Sequence, residues 1–240
     1  MAVSFFTWCY DNGHPSIDLS RVQRLKRRYP RVYGRAQATN PGRWLTHDEA
    51  FNRLVPACQD GTALGLRDEL VIRFGLAGVR RSEIVTMTWR NLAALPAVEW
   101  IGKGNRARRI VIGPAFLAAL DRWQAAYPDP RPDAPVICRT GGTVRPFVDW
   151  GHAYRSDTNC IHKIVTRRAA VAGLGHVAPH DLRRSAAGIL HHATDASGAH
   201  HFDLLDIQKV LGHTDPATTM RSYLDPMDTG VLDRASHHLD

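Results

Sequence analysis

This sequence predicts a mainly α-helical domain that carries one small antiparallel β-sheet, a hairpin. Apolar residues recur at helical spacing in most segments after residue 45. One alternating, β-rich stretch near residue 100 is interrupted by glycines of the kind found in tight turns. A chain of 240 residues with 44% hydrophobic composition is long enough to form a stable hydrophobic core without disulfide bonds.

Composition limits the classes of function. The four cysteines are far apart and form no C-x-x-C pair, which argues against zinc or redox chemistry and favours a reducing compartment. No apolar run approaches the roughly 20 residues that span a bilayer, and no signal pattern opens the chain. We therefore expect a cytoplasmic protein without a membrane partner. The net charge of +8 suits a polyanion such as nucleic acid.

Much of the positive charge lies close to the N-terminus. Residues 21–35 contain seven basic residues and no acidic one. Such a stretch either tracks a phosphate backbone or forms a solvated linker. We expect five of its residues to bind DNA: Arg21, Arg24, Lys26, Arg27 and Arg28.

The folded domain is predicted to begin at Leu45. Thr46-His47-Asp48-Glu49 has the pattern of a capping box, in which the Thr hydroxyl and the Glu carboxylate satisfy free backbone donors. A second helix is predicted over Leu66–Ala77, with Gly78 as its left-handed cap. A third, short helix follows from Ser82.

The β-hairpin is predicted from Val98–Ile101 and Arg109–Ile112. Its connecting loop contains Gly102-Lys103-Gly104-Asn105, so the hairpin projects a lysine. The rest of the chain is predicted to be largely helical. One helix is expected to start at Pro114, and another runs through Ile161–Ala169 and ends at Gly173. Three more are expected over Leu182–Leu190, Leu204–Leu211 and Ala217–Tyr223.

Three separated motifs carry candidate chemistry. They are Gly78-Val79-Arg80-Arg81-Ser82-Glu83, His180-Asp181-Leu182-Arg183, and Leu211-Gly212-His213 with Tyr223 ten residues after the histidine. Their order and spacing are far more specific than any one of them. From about Leu45 to Asp225 the chain resembles the tyrosine recombinase (phage integrase) family, and the resemblance implies that family's catalytic-domain fold.

Two arginines in these motifs suit phosphate chemistry on physical grounds alone. Displacement of a phosphodiester oxygen places extra negative charge on the nonbridging oxygens, which fixed cations stabilise. A guanidinium offers a planar fork of donors and stays protonated. Arg80 and Arg183 are therefore expected to clamp the phosphate.

The resemblance assigns the remaining roles. It implies that Tyr223 attacks the phosphate and forms a 3′-phosphotyrosine. Because a phenol has a pKa near 10, the attack needs a base, and His180 is the expected one. His213 would help to hold the phosphate, and Lys103 would protonate the 5′-hydroxyl leaving group. Arg106 and Arg108 are expected to contact the DNA backbone, and Glu83 is expected to support an arginine.

The resemblance also implies a reaction and its partners. A second 5′-hydroxyl can reverse the attack, so strands are exchanged through a Holliday junction without ATP, metal or any other cofactor. The expected partner is a double-stranded recombination site bound by a homotetramer, and an accessory DNA-bending or directionality factor could assist. Integration and excision are both compatible with these residues.

Some features depart from the family pattern. Residues 1–44 are interpreted as the remnant of a core-binding domain with a basic linker, and residues 45–240 as the catalytic domain with a C-terminal tail. Thr194–Phe202 is interpreted as an insertion. The histidine pairs His191-His192, His200-His201 and His237-His238 are interpreted as solvated loops rather than a metal site. The alternatives are a type IB topoisomerase-like enzyme that nicks and reseals DNA, and a catalytically silent DNA-binding accessory protein.

Overall fold

The computed structural model describes residues 43–102, 105–127, 131–138, 158–196 and 198–212. The chain divides into two units, Met1–Gly42 and Arg43–Asp240, and every described residue belongs to the second unit. The described residues form helices and one two-stranded antiparallel sheet, which confirms the predicted fold class. The assignment of residues 1–44 to a domain remnant and linker stays a prediction.

The domain opens with the predicted capping box. The Thr46 backbone N donates to Glu49 Oε2 at 3.0 Å, and the Glu49 backbone N donates to Thr46 Oγ1 at 3.2 Å. These bonds satisfy two donors at the start of a π-helical segment, Asp48–Leu54, which a 3-10 turn, Pro56–Cys58, follows. The capping box is therefore confirmed.

Two α-helices lead to the first motif. Helix α1 spans Ala63–Leu76 and helix α2 spans Arg81–Thr86. Helix α1 begins one turn earlier than predicted because the Thr62 hydroxyl accepts a hydrogen bond from the Gly65 backbone N at 3.0 Å. Gly78 has a φ of +81°, so the predicted left-handed cap after α1 is confirmed.

The hairpin follows a 3-10 turn, Trp89–Leu92. Strand β1 spans Ala97–Gly102 and pairs with strand β2, Arg106–Val111. Strand β1 continues one residue further towards the turn than predicted, and β2 begins three residues earlier than the predicted Arg109. The register places Arg108 opposite Trp100, and directly paired residues share one face of a sheet.

Four helices complete the described part of the domain. They are α3, Pro114–Ala126; α4, Thr158–Val171; α5, Pro179–His191; and α6, Leu204–Leu211. Helix α5 begins three residues before the predicted Leu182, because proline suits the first helical position and Asp181 Oδ2 accepts from the Ala178 backbone N at 2.9 Å. The helix predicted over Ala217–Tyr223 lies outside the described residues.

Helix α1 lies at the centre of the core and packs against α3, α4 and α5. The Phe74 and Phe116 rings meet edge to face across α1 and α3, with centroids 4.8 Å apart. A smaller apolar cluster, Ala186, Ala187, Ile207 and Leu211, joins α6 to α5. Because Leu211 ends α6 and is buried there, this cluster fixes the end of α6 beside α5.

The predicted insertion forms a loop that returns to α5. Thr194 pairs with His200 in an isolated bridge, and His200 Nδ1 lies 2.8 Å from the His191 carbonyl oxygen. His191 belongs to the last turn of α5 rather than to the predicted loop, and its ring stacks on that of His200 with centroids 5.2 Å apart. Within the described ranges, no helix is both long enough and apolar enough to cross a membrane.

Candidate active site

The first helical turn of α5 presents two of the predicted catalytic residues. His180 and Arg183 are three positions apart, so their side chains project from neighbouring points of the helix surface. Arg183 points inward and keeps only 4% of its surface exposed, whereas His180 is exposed. The arginine is therefore held by the protein while the histidine stays accessible.

Arg80 is held by the residue predicted to support it. Arg80 is the N-cap of α2, and Glu83 lies in the first turn of that helix. Glu83 Oε2 accepts from the Arg80 backbone N at 2.8 Å, and Oε1 accepts from Arg80 Nη1 at 2.9 Å. Glu83 is buried, but the Arg80 side chain keeps 31% of its surface exposed. One carboxylate thus orients both the backbone and the guanidinium of Arg80.

The C-terminal end of α6 gathers arginines from three parts of the domain. The carbonyl oxygens of three consecutive residues each accept from a different guanidinium. Val210 accepts from Arg108 Nη2 at 3.2 Å, Leu211 from Arg183 Nη2, and Gly212 from Arg80 Nη2 at 3.2 Å.

A helix C-terminus leaves its last carbonyls unsatisfied and carries partial negative charge, so it favours cations. Arg183 Nη1 also donates to the Gly78 carbonyl, close to Arg80 in the chain. The structure therefore brings Arg80 and Arg183 together at one helix end. We refer to Arg80, Arg183 and Arg108, with Glu83 and the three carbonyls, as the α6 arginine cluster.

Glycine is required at the position that closes α6. Gly212 has a φ of +59°, in the left-handed region that side chains disfavour. A Cβ atom there would lie 2.8 Å from the Arg108 guanidinium carbon. The glycine of the Leu-Gly-His motif therefore serves both the helix cap and the close approach of an arginine.

Arg108 lies deeper than a strand arginine is expected to lie. Its side chain keeps 8% of its surface exposed, its guanidinium stacks 5.1 Å from the centre of the Trp100 ring, and Nη1 lies 3.6 Å from Glu83 Oε2. Its assignment as a DNA contact stays a prediction. The signal for its inward position is the pairing with Trp100, a large apolar residue that belongs to the buried face of the hairpin.

The electrostatic surroundings of His180 favour its neutral form. Packing by neighbouring groups removes part of its hydration, and this desolvation, together with the positive charges of Arg184 and Arg183, lowers the pKa of His180 below its ordinary value. The opposing effect of Asp181 is smaller. A neutral imidazole can accept a proton, so His180 suits the role of a base near neutral pH.

Of the other predicted site residues, the structure describes only Arg106. Arg106 is exposed at the start of β2. Lys103, His213, Tyr223 and the basic residues between Arg21 and Arg28 lie outside the described ranges. Among the described residues, no three His, Cys, Asp or Glu side chains are grouped so as to hold a metal ion.

Comparison with known proteins identifies the family. Residues 43–229 match the profile of the Phage integrase family. The chain belongs to this family. The match spans all described elements, including the α6 arginine cluster, and the three sequence motifs.

Named relatives agree with this membership. Tyrosine recombinase XerC of Xylella fastidiosa (strain M23) is 30% identical over 224 residues, which cover 90% of this chain and 64% of the relative. The chain therefore spans slightly less than two thirds of that recombinase.

Solved structures of site-specific recombinases share the fold. XerH bound to a palindromic difH substrate, in a post-cleavage complex, superposes with a TM-score of 0.61 at 18% identity, covering 85% of this chain and 55% of XerH. XerA recombinase gives a TM-score of 0.61 at 20% identity, covering 90% of this chain and 73% of XerA. The fold is that of the tyrosine recombinase catalytic domain.

Proposed function

We propose that this chain is the catalytic domain of a site-specific tyrosine recombinase that cleaves and rejoins DNA through a covalent 3′-phosphotyrosyl intermediate. The observation that carries the proposal is the convergence of Arg80 and Arg183 on the end of α6, directly before His213 in the chain. Family membership and the XerC relatives support the same reaction.

The arginine geometry suits a phosphate clamp. Backbone carbonyls hold Arg183, and Glu83 with the Gly212 carbonyl holds Arg80, so both guanidinium groups are oriented before a substrate arrives. Carbonyl oxygens orient a guanidinium without neutralising its full charge. Preoriented positive charge of this kind stabilises the charge that develops on nonbridging oxygens during attack.

In the proposed reaction, every bond and proton transfer is accounted for by the DNA and the side chains of the protein. The Tyr223 oxygen forms a bond to phosphorus as its proton passes to neutral His180, and the bond between phosphorus and the 5′-oxygen breaks. Lys103 donates a proton to the departing 5′-oxygen, and His213 holds the phosphate with the two arginines. A 5′-hydroxyl of a second strand then reverses these steps, which exchanges strands through a Holliday junction.

The DNA partner and the assembly belong to the same proposal. XerH and lambda integrase have been solved bound to DNA, lambda integrase as a dimer on its core site. We propose that this protein acts on a double-stranded recombination site as a multimer, with four protomers for a complete exchange. Arg106, which is exposed, and the basic residues between Arg21 and Arg28 are the proposed DNA-backbone contacts. An accessory factor that bends DNA or sets direction would act on this assembly.

The test is covalent capture of DNA. The protein is incubated with a library of randomised, nicked duplexes, and DNA that stays attached through detergent is recovered and sequenced. We expect attached DNA for the wild type and none for Tyr223→Phe, which lacks only the attacking oxygen. Attachment that survives in Tyr223→Phe, or is absent from the wild type, would contradict the proposal.

A second assay separates recombination from the alternative of nicking and resealing. The captured site is placed twice in one supercoiled plasmid. Exchange of the flanking segments supports a recombinase, whereas relaxation with unchanged flanks would indicate a topoisomerase-like enzyme.

A further inference from the structure

Arg108 is set apart from the other arginines of its strand by its surroundings. Arg109, the next residue, has a side chain that is 65% exposed and pairs with the similarly exposed Glu99 at 3.4 Å. Arg108 points to the opposite face and keeps only 8% of its side chain exposed. A phosphate contact needs donors that reach the surface, and the donors of Arg108 are directed into the protein.

The guanidinium of Arg108 connects three elements. It stacks on Trp100 of β1, Nη2 donates to the Val210 carbonyl of α6 at 3.2 Å, and Nη1 lies 3.6 Å from Glu83 Oε2 of α2. Nη1 makes no hydrogen bond within the described part of the chain, so the ion pair with Glu83 is its principal contact there. Glu83 is also the carboxylate that orients Arg80.

Two glycines make room for this side chain. A Cβ atom on Gly102 would lie 2.9 Å from Glu83 Oε1 and 3.0 Å from Arg108 Cδ. A Cβ atom on Gly212 would lie 2.8 Å from Arg108 Nε. Gly102 directly precedes Lys103, and Gly212 directly precedes His213. The backbone therefore approaches Arg108 closely beside each of two predicted catalytic residues.

We propose that Arg108 is a positioning residue, which ties the hairpin carrying Lys103 to the Arg80–Glu83 pair and to the end of α6. The proposal rests on the proposed function, in which Lys103 protonates the leaving 5′-oxygen. Arg108 acts by holding β2 and β1 beside the Arg80–Glu83 pair and the end of α6, and Lys103 directly follows β1 in the chain. This role replaces the DNA-backbone contact suggested by the sequence.

The experiment compares Arg108→Gln with Arg109→Gln, which removes the same charge from the opposite face of the same strand. Single-turnover cleavage is measured at saturating captured substrate. We expect Arg108→Gln to slow cleavage by about 10²-fold, because a misplacement of about 1 Å can cost that much. Arg109→Gln should cleave at the wild-type rate. Equal rates for the two variants would overturn the proposal.

The salt dependence of DNA binding distinguishes a positioning residue from a phosphate contact. Loss of one phosphate contact lowers the slope of log affinity against log salt by about one. We expect the wild-type slope for Arg108→Gln and a reduced slope for Arg106→Gln. A reduced slope for Arg108→Gln with an unchanged cleavage rate would assign Arg108 to DNA binding instead.

A modified leaving group tests the link to Lys103. In a substrate whose bridging 5′-oxygen is replaced by sulfur, the leaving thiolate needs no proton, because thiols are much stronger acids than alcohols. We expect most of the Arg108→Gln defect to disappear on this substrate. An equal defect on both substrates would indicate general structural damage and overturn the proposal.

Arg108→Lys keeps the test valid if the glutamine variant does not fold. Lysine retains the charge beside Glu83 but lacks the fork that also reaches Val210, so we expect a smaller defect with the same sulfur rescue. Thermal unfolding establishes that each variant is folded. Capture that depends on Tyr223, combined with wild-type cleavage by both Arg108 variants, would reject this inference and leave the proposed function intact.

Discussion

Two groups of arginines in the described part of the domain differ in the number of carboxylates that they contact. In the Asp68 cluster, the fully buried Asp68 carboxylate of α1 accepts from Arg67, Arg167 and Arg168, and Asp60 Oδ2 also accepts from Arg168 at 2.7 Å. Backbone carbonyls accept from Arg67 and Arg168 as well. In the α6 arginine cluster, three guanidinium groups meet three backbone carbonyls, and two of them, Arg80 and Arg108, also contact one carboxylate, Glu83.

The comparison teaches that the ratio of carboxylates to arginines, rather than burial, distinguishes the two clusters. In the Asp68 cluster two carboxylates offset most of the charge of three arginines, so the cluster joins α1 to α4 and leaves little charge for a ligand. In the α6 arginine cluster a single carboxylate, Glu83, faces three arginines, so this cluster retains a larger excess of positive charge. An anion is the partner that such a cluster can bind.

The largest expected effect is the loss of the carboxylate at the centre of the Asp68 cluster. Asp68→Ala leaves the buried Arg67 guanidinium without a carboxylate and Arg168 with Asp60 alone, and should lower the free energy of unfolding by about 3–5 kcal/mol. Urea denaturation measures this change. Asp133→Ala removes an exposed partner of Arg90, so it should cost at most about 1 kcal/mol. A similar loss of unfolding free energy in both variants would show that the burial of Asp68 adds nothing to its contribution to stability.

The next prediction compares the same arginine-to-lysine substitution in the two clusters. Arg183→Lys keeps a positive charge but loses the fork that spans the Gly78 and Leu211 carbonyls. We expect single-turnover cleavage to fall by about 10²–10³-fold, which is about 2.7–4 kcal/mol of transition-state stabilisation. The control, Arg67→Lys in the Asp68 cluster, should lower stability but leave cleavage by the folded protein unchanged. Cleavage losses of the same size in both variants would show that the α6 arginine cluster is no more important for cleavage than the Asp68 cluster.

A smaller effect tests the space around Arg108. Gly212→Ala should lower the free energy of unfolding by about 1–2 kcal/mol from the left-handed backbone alone, and it should also slow cleavage because its Cβ displaces Arg108. Gly198 has a φ of +83°, and no atom lies within 4 Å of the point that a Cβ would occupy, so Gly198→Ala should be strained but fully active. Full activity of Gly212→Ala would contradict the role of this close approach.

The smallest effect is a shift in pH dependence. Because the pKa of His180 is lowered, its neutral form is complete at a lower pH than for an ordinary histidine, and cleavage should rise through that pKa and then level off. Arg184→Gln removes a positive charge that lowers this pKa, so the rising limb should move to higher pH. An NMR titration of the His180 ring measures the shift. Arg90→Gln, which alters an exposed pair with Asp133, should leave the titration unchanged.

Much of the fold was predictable because local signals agree with the tertiary structure. The capping box at Thr46 and the left-handed glycine at Gly78 depend on a few neighbouring residues, and both were confirmed. The starts of α1 and α5 were placed too late because the apolar pattern is weak in a first turn. Thr62 and Pro179, which begin these helices, were the overlooked signals.

The sequence by itself determined the helical class, the hairpin, the family and the identity of the candidate catalytic residues, since each depends on residue type and spacing. Only the tertiary structure decided which acceptors hold each arginine. The Val210, Leu211 and Gly212 carbonyls belong to the backbone, so no residue type marks them as partners. The contact of Arg108 with Glu83 joins residues 25 positions apart, and only the tertiary arrangement that brings β2 beside α2 creates it.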